Sequence, residues 1–196
     1  MENQDKIMEI DNSKKVILDL CGGTGAWSKP YKKAGYDVRV LTLPEWDVAD
    51  YTPHEQIYGI LAAPPCTEFS LAKSTKPRDF DKGMLVVQHC FRIIWLARKH
   101  LGLKFWVMEN PRGFLRQFIG RPAFTFEQWE FGDTGIKPTD LWGFFNDPKK
   151  LATVRPEGMS KKYPNGRWNA KGWSKTAEKR AITPAGFSKA FFQVNQ

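Results

Sequence analysis

The stretch that decides the fold is KKVILDLCGGTGAWSKPYKKAGYDVRVLTL, residues 14–43. Its apolar run Val16–Leu20 is typical of a strand buried on both faces of a sheet. Glycines then allow a tight turn, and a helix is predicted over 26–34, with Pro30 in its first turn. A second strand is predicted over 36–43. The order strand, glycine-rich turn, helix, strand predicts an α/β fold.

Further strands are predicted at two apolar runs, 58–63 and 103–111, and at the alternating run 123–131. A helix is predicted over 84–101, and we interpret Cys90 within it as core packing. Its apolar spacing is set by Met84, Val87, Phe91, Ile94 and Trp95. Strands that alternate with helices predict a parallel, doubly wound sheet, in which ligands bind beyond the carboxyl ends of the strands. The loops CGGTG, PPCTEFS and ENPRG are expected at those ends.

Length and cysteine usage limit the class of protein. The chain has 196 residues, which suits one domain with a small appendage. Its three cysteines form no CxxC pair, so we expect neither a metal site nor disulfides. A reduced, intracellular compartment is the simpler interpretation. The N-terminal segment is polar and predicts no signal peptide. No apolar run approaches the roughly 18 to 20 residues of a membrane helix, so no membrane partner is expected.

The positive charge is concentrated near the C-terminus. The net charge is +9, and residues 149–180 contain ten Lys or Arg but two acids. Trp168 and Trp173 lie in the same segment. Because lysines neutralise phosphates and indoles stack on bases, this segment predicts a nucleic-acid surface; a solvated loop is the alternative.

Three loop features have the residue types that chemistry needs. Asp19 followed by glycines suits an adenosine-type cofactor, although a tight turn capped by aspartate is the alternative. The loop lacks the lysine and hydroxyl of a Walker motif and is not a GxGxxG sequence. Cys66 follows two prolines that hold the loop extended, which suits a nucleophile, and an inert buried cysteine is the alternative. Glu109 directly follows an apolar strand, where it suits proton donation; a helix cap or a salt bridge is the alternative.

The ordered set DLCGGTG, PPC and ENP resembles the DNA cytosine-C5 methyltransferases. The resemblance covers about 16–112, and KPTDLWG and ITPAGFSKAFFQVNQ look like the short phage- or prophage-type members. It implies a Rossmann-like methyltransferase fold with a mostly parallel central sheet and a small basic C-terminal appendage. It also implies a cytoplasmic enzyme of a bacterium or a phage-infected host, with S-adenosylmethionine as cofactor and DNA as partner.

The resemblance assigns the chemistry to two residues. Cys66 would add to C6 of cytosine, and Glu109 would protonate or hydrogen-bond N3, so that C5 becomes nucleophilic toward the methyl group. The target base would have to leave the duplex. Amino-methyltransferases instead place Asp, Asn or Ser before two prolines and an aromatic residue after them. Ala63 and Cys66 occupy those positions here, which favours C5 over N4 or N6 chemistry.

The resemblance also implies a set of binding residues. Glu45 is the acid nearest to the position expected to hold the cofactor ribose, from which Pro44 displaces it. Asp47 would instead face the adenine. Lys137 and Thr139 stand where a Gln-x-Arg-x-Arg strand is expected. The implied cofactor contacts are Asp19, Leu20, Cys21, Gly22, Gly23, Thr24, Gly25, Trp27, Glu45, Asp47, Val48 and Pro64. The implied substrate contacts are Pro65, Ser70, Asn110, Arg112, Lys137, Thr139, Lys161, Lys162, Trp168 and Trp173.

The organisation that follows has three parts. Residues 1–146 form the catalytic and cofactor-binding domain, 147–180 a reduced, basic target-recognition segment, and 181–196 a segment that returns to the catalytic domain. A target-recognition domain this small predicts relaxed specificity or a protein partner that supplies it. Two alternatives stay open: an inactive nucleic-acid-binding or accessory protein, and a C5-pyrimidine methyltransferase acting on RNA or a free nucleotide.

Overall fold

A computed structural model describes most of the chain. The described residues are 11–73, 77–99, 102–133, 135–155, 157, 160–162, 168–170, 179 and 181–196, with the backbone alone for 160–162 and 168–170. The helices are α1 (Lys29–Lys33), α2 (Phe80–Arg98), α3 (Leu115–Ile119) and α4 (Ala185–Val194). The strands are β1 (Val16–Leu20), β2 (Asp37–Leu41), β3 (Ile57–Ala62), β4 (Phe105–Pro111), β5 (Phe124–Glu127), β6 (Pro138–Phe144), β7 (Ser160–Lys162) and β8 (Trp168–Ala170).

The first six strands form one mixed, mostly parallel sheet in the order β2-β1-β3-β4-β6-β5. β1 to β4 are parallel to one another, whereas β6 is antiparallel to both β4 and β5. The protein therefore has an α/β fold that is compatible with a Rossmann-like arrangement. The prediction of a mostly parallel central sheet is confirmed; β6 is the antiparallel exception, and its connection from β5 is shorter than the dozen or more residues that a parallel crossover needs.

Each face of the sheet carries its own hydrophobic core. All five residues of β1 are buried. Alternate residues of a strand point to opposite faces, so Val16, Leu18 and Leu20 belong to the core under α2, and Ile17 belongs to the core under α1 and α4. In the resulting three layers the helices cover the two faces of the sheet, and the two ends of the strands are left to the connecting loops.

Helix α2 covers the first face, and its bounds differ from the predicted 84–101. It begins at Phe80 because the Asp79 carboxylate accepts the Lys82 N–H at 2.9 Å, a cap that apolar spacing does not reveal. Trp95, which was expected to face inward, is 63% exposed. Cys90 is fully buried, which confirms its interpretation as core packing. No described helix combines the length and apolar character that would let it cross a membrane.

Two other predicted elements are shorter in the structure. Helix α1 begins only at Lys29, after Ser28, whose hydroxyl donates to Asp19 instead of capping the helix. The strand predicted over 123–131 ends at Glu127 and continues as the 3₁₀ turn Gln128–Phe131. A capping box explains that break, since Glu130 accepts the Glu127 N–H at 2.6 Å.

The C-terminal helix α4 completes the second core. Phe187 stacks on Phe126 of β5 with ring centroids 4.2 Å apart, and Trp27 packs against both Phe187 and Phe191. The Asp133 carboxylate accepts the Gly186 N–H at 3.1 Å and so fixes the first turn of the helix. Segment 181–196 is therefore part of the sheet's packing.

The described start of the basic segment also contacts the α/β domain. Lys150 pairs with Glu130 at 2.9 Å, and Arg155 pairs with Glu127. These two cations are neutralised by acids beside β5. Further along, β7 and β8 form an antiparallel hairpin.

Candidate active site

The three candidate loops leave the sheet at one edge. β1, β3 and β4 are neighbouring parallel strands, and their register pairs Leu20 with Ala62 and Ala62 with Met108. The glycine-rich turn follows Leu20, the PPCTEFS loop follows Ala62, and Glu109 directly follows Met108. The carboxyl ends of these strands therefore bring the three loops side by side.

The glycine-rich turn is built for close approach to its backbone. Cys21, Gly23 and Gly25 have positive φ angles of 56°, 56° and 67°. At Gly22 the reason for glycine is steric, because a Cβ atom there would lie 2.4 Å from Cγ of Asp19. The turn is closed by a hydrogen bond from the Gly25 N–H to the Gly22 carbonyl at 3.0 Å. Its outer side, at Gly23 and Thr24, is exposed.

Beneath this turn lies a buried carboxylate. Asp19 has no exposed surface, and its Oδ2 accepts the Ser28 hydroxyl at 2.5 Å. Its other oxygen, Oδ1, has no hydrogen-bond partner among the described residues. Burial raises the pKa of Asp19 to about 6, and the hydrogen bond from the Ser28 side chain opposes part of this rise. A cationic donor that reached Oδ1 would satisfy the orphaned oxygen.

Burial of Asp19 makes stability depend on pH. The pKa of Asp19 rises from 3.8 to about 6 on folding, because the folded protein favours the protonated carboxyl group. The stabilisation that this group gives the folded state is therefore fully present below pH 3.8 and is lost as the pH rises through 6. The loss corresponds to about 3 kcal/mol. We expect the unfolding free energy of Asp19→Asn, relative to wild type, to rise by about that amount between pH 4 and pH 7.5. Urea titrations at four pH values measure it, and parallel pH profiles for the two proteins would contradict it.

The PPCTEFS loop is tied to the loop after β4. Asn110 Nδ2 donates to the Pro64 carbonyl at 2.9 Å, and the Phe114 N–H donates to the Phe69 carbonyl at 2.9 Å. Gly113 passes so close that a Cβ atom there would lie 2.2 Å from the Phe69 oxygen. These contacts hold the loop on both sides of Cys66 against the strand that carries the candidate acid.

Cys66 begins a tight turn within that loop. Its carbonyl accepts the N–H groups of Phe69 at 3.0 Å and Ser70 at 2.8 Å. The Cys66 residue is half-buried, and the preceding Pro65 is exposed. The backbone of Ser70 pairs with Gly113 in an isolated bridge, and its hydroxyl oxygen accepts the Ala72 N–H. The backbone and the side chain of Ser70 therefore both stabilise this loop.

Of the other two cysteines, one is a turn residue and one is core. The Cys21 N–H donates to the Leu41 carbonyl at 2.7 Å, which joins the glycine-rich turn to β2. The hydrogen bond with Cys21, together with burial, raises the pKa of the Cys90 thiol above its usual range. A buried thiol with a raised pKa is a poor nucleophile. The same hydrogen bond lowers the pKa of Cys21, whose backbone belongs to the glycine-rich turn. Cys66, in the loop after β3, stays the candidate nucleophile that the sequence predicts.

Glu109 lies at the same edge with a cation beside it. Its side chain is 19% exposed, and Lys137 Nζ lies 3.8 Å from its Oε1. Lys137 directly precedes β6, which pairs with β4. The sequence offered Lys137 as a substrate contact, and the structure brings it to the candidate acid. Arg112 is exposed, and its N–H donates to the Pro138 carbonyl at 2.9 Å.

The end of β2 presents an exposed acidic and aromatic loop. Glu45 and Asp47 are exposed, and Asp47 Oδ1 accepts the Ala49 N–H at 2.9 Å. Trp46 between them is 59% exposed, and sequence reasoning missed it. The available signal was a tryptophan flanked by two acids just beyond the predicted second strand. An exposed indole there provides a face on which a flat ring can stack.

Arg92 of α2 holds this loop in place. Its Nη2 donates to the carbonyls of Val48, Ala49 and Tyr51 at 3.2, 3.0 and 2.7 Å. Hydrogen bonds from a charged donor contribute about 1.5–3 kcal/mol each, less where water reaches them.

We expect Arg92→Ala to lower the unfolding free energy by about 2 kcal/mol, since three carbonyls lose one shared donor. It should also accelerate amide hydrogen exchange within residues 47–52. The Arg92→Lys variant keeps the charge but lacks the planar guanidinium fork. Its unfolding free energy and exchange rates should lie between those of wild type and Arg92→Ala. Urea unfolding and mass-resolved exchange measure both effects; unchanged exchange in that loop would refute the clamp.

Several predicted contact residues are core or scaffold in the structure. Asn110 is fully buried, and its Nδ2 anchors the Pro64 carbonyl, so this side chain positions the loop. Thr139 donates to the Lys137 carbonyl at 3.2 Å. Side chains are buried, with 0–5% exposure, at Leu20, Trp27, Val48 and Thr139. Leu20, Trp27 and Val48 pack in the two cores, whereas Thr139 lines a small cavity together with Glu109 and Lys137. The motif order carries no information about which way a side chain points.

The predicted contacts of the basic segment fall outside the described side chains. Lys161, Lys162 and Trp168 are described in backbone only, in strands β7 and β8, and Trp173 lies outside the described residues. The prediction that they bind nucleic acid stays a prediction.

At this edge of the sheet lie the half-buried Cys66, a carboxylate with a lysine neighbour, and a glycine-rich turn above a carboxylate oxygen that has no hydrogen-bond partner in the described part of the chain. In the part of the chain that the structure describes, no group of three or more His, Cys, Asp or Glu could hold a metal ion. Comparison with protein-family models and with curated proteins gives no match for this chain.

Proposed function

We propose that this protein is an S-adenosylmethionine-dependent methyltransferase that methylates C5 of cytosine in DNA. The observation that carries the proposal is the hydrogen bond from Asn110 Nδ2 to the Pro64 carbonyl at 2.9 Å. It couples the loop of Cys66 to the residue next to Glu109. A nucleophile in the loop after β3 and an acid on the neighbouring strand β4 can act on two positions of one small ring.

The glycine-rich turn supports the cofactor assignment. S-Adenosylmethionine carries a cationic ammonium group, and beneath Gly22 lies a buried oxygen of Asp19 that has no hydrogen-bond partner among the residues that the structure describes. Exposed Glu45 and Trp46 would serve the ribose and the adenine. When bound, the cofactor supplies an electrophilic methyl group on a sulfonium. The residues present therefore fit this group.

The chain's own residues then perform the activation. The Cys66 thiolate attacks C6, and as the Sγ–C6 bond forms an electron pair moves onto C5. Glu109 donates a hydrogen bond or a proton at N3, which stabilises the charge that builds up on the ring. After C5 is methylated, a water molecule takes up the C5 proton, and the electron pair of that C–H bond re-forms the C5–C6 double bond. The Sγ–C6 bond breaks, which regenerates the thiolate, and any proton given to N3 returns to Glu109. Because C6 is inaccessible in a stacked duplex, the base must be flipped out.

A methyl-transfer assay tests the proposal directly. The protein is incubated with tritiated S-adenosylmethionine in three separate reactions, which contain duplex DNA, RNA or dCMP. The labelled base is identified after digestion to nucleosides. Label in 5-methylcytosine from DNA supports the proposal. Label confined to RNA or dCMP reassigns the substrate, label at N4 of cytosine or N6 of adenine reassigns the chemistry, and no label in any arm favours an inactive binding protein.

Duplex DNA containing 5-fluorocytosine provides a second readout. Fluorine at C5 cannot leave as a proton, so the Sγ–C6 bond should persist and give a complex that survives denaturing electrophoresis. Peptide mapping should locate the adduct at Cys66. An adduct at Cys21 would contradict the assignment of the nucleophile.

A further inference from the structure

A wide basic groove lies beside the candidate active site. It has a volume of about 1140 Å³ and is formed by α1, α4 and the segment between β5 and β6. It lies on the side of the sheet opposite α2. The mechanism proposed above uses none of the residues that line this surface.

The groove is strongly positive. Five of the described lysines line it: Lys29, Lys33, Lys137, Lys179 and Lys189. Among the described lining residues Asp133 is the one acid, and its carboxylate already accepts the Gly186 N–H. Lys29 and Lys33 are one helical turn apart and therefore lie on one side of α1. The surface thus matches a ligand with several negative charges.

The groove is continuous with the candidate acid. Lys137 lines it and also lies 3.8 Å from Oε1 of Glu109. A small cavity lined by Glu109 shares five lining residues with the groove: Gln128, Lys137, Ile182, Thr183 and Pro184. A ligand whose base reached Glu109 could therefore extend along the lysines. A single nucleotide has phosphate at one end only, whereas a polynucleotide strand presents a phosphate at every step.

We propose that this groove binds the sugar–phosphate backbone of DNA next to the target cytosine. This inference rests on the proposed function, because it takes the substrate to be DNA. Lysine ammonium groups that replace the counterions of phosphates make binding salt-dependent and independent of base sequence. The α/β domain itself then contributes backbone affinity, in addition to any contribution from residues 156–180.

Salt titration of DNA binding tests the groove. A fluorescein-labelled duplex of about 24 base pairs is titrated with full-length protein at several salt concentrations, and anisotropy gives the slope of log K against log [salt]. The triple variant Lys29→Ala, Lys33→Ala, Lys189→Ala should reduce the magnitude of the slope by about 3, since each phosphate contact contributes about 0.9. It should also weaken binding equally for unrelated sequences.

The matched control removes the same charge elsewhere. Lys82, Lys99 and Lys104 are exposed and lie outside the groove. Their triple alanine variant has the same net charge as the groove variant and should keep the wild-type slope to within about 1. Equal slopes for the two triple variants would overturn the groove. Thermal melting checks folding, and the single variant Lys33→Ala, with an expected slope change of about 1, supplies a milder test.

The methyl-transfer assay separates this inference from the proposed function. If wild type methylates DNA while the groove variant keeps the wild-type slope, the groove fails and the enzymatic proposal stands. If the slope depends on the groove lysines but no methyl group is transferred, the groove stands and the enzymatic proposal fails. Salt-dependent binding of duplex RNA with none of duplex DNA would overturn the DNA groove.

Discussion

Replacement of Cys66 with serine is expected to reduce methyl transfer to DNA about 10⁴-fold or more, the range seen when a covalent nucleophile is removed. A serine hydroxyl is almost fully protonated at neutral pH, whereas a few per cent of an ordinary thiol is ionised. Serine is nearly isosteric with cysteine and leaves the carbonyl that accepts the Phe69 and Ser70 N–H groups unchanged. The measurement is the rate of tritium transfer at saturating DNA, together with the 5-fluorocytosine adduct, which should disappear.

The neighbouring residue provides the control. Thr67 is exposed in the same turn, and Thr67→Ala should keep the rate to within a few-fold. DNA affinity of Cys66→Ser should also stay close to that of wild type, because one atom changes in a half-buried side chain. If Cys66→Ser transfers methyl groups at more than about a tenth of the wild-type rate, covalent addition by this residue is refuted.

Glu109→Gln is expected to lower kcat about 10³-fold, within the range for loss of a positioned proton donor. Glutamine keeps the size of the side chain and can still hydrogen-bond, but it cannot transfer a proton to N3. The change also leaves Lys137 without the carboxylate at 3.8 Å. Because the pair is partly exposed, we expect little loss of stability. Single-turnover kinetics at saturating DNA measure the effect on the chemical step.

Two variants separate the acid from its neighbour. Lys137→Gln removes the ion pair but keeps the carboxyl group, so it should lower kcat less than Glu109→Gln does. Glu157→Gln changes an exposed carboxylate elsewhere and should have no effect on kcat. A Glu109→Gln protein that melts like wild type and retains its kcat would show that this residue is structural.

Local pattern predicted much of the sheet and the order of the candidate site. The run Val16–Leu20 is a fully buried strand, and the strands predicted near 58–63 and 103–111 exist with ends shifted by one or two residues. Because parallel strands end at a common edge, the motif order was enough to expect CGGTG, PPC and ENP together. Burial of Cys90 also followed from helical spacing. Such features depend on residues close in sequence, whose periodicity records which face is buried.

Tertiary structure alone decided the features that depend on distant residues. Trp27 belongs to a core closed by Phe187 and Phe191, more than 150 residues away, so its position beside the glycine-rich turn was misleading. The Asn110 anchor on Pro64 and the approach of Lys137 to Glu109 likewise require the pairing of β4 with β3 and β6. The basic groove exists because α4 returns to pack beside α1. By itself the sequence determined which segments are strands and which reactive residue types follow them. The tertiary structure decided which side chains meet, because contacts between remote segments leave no local periodicity.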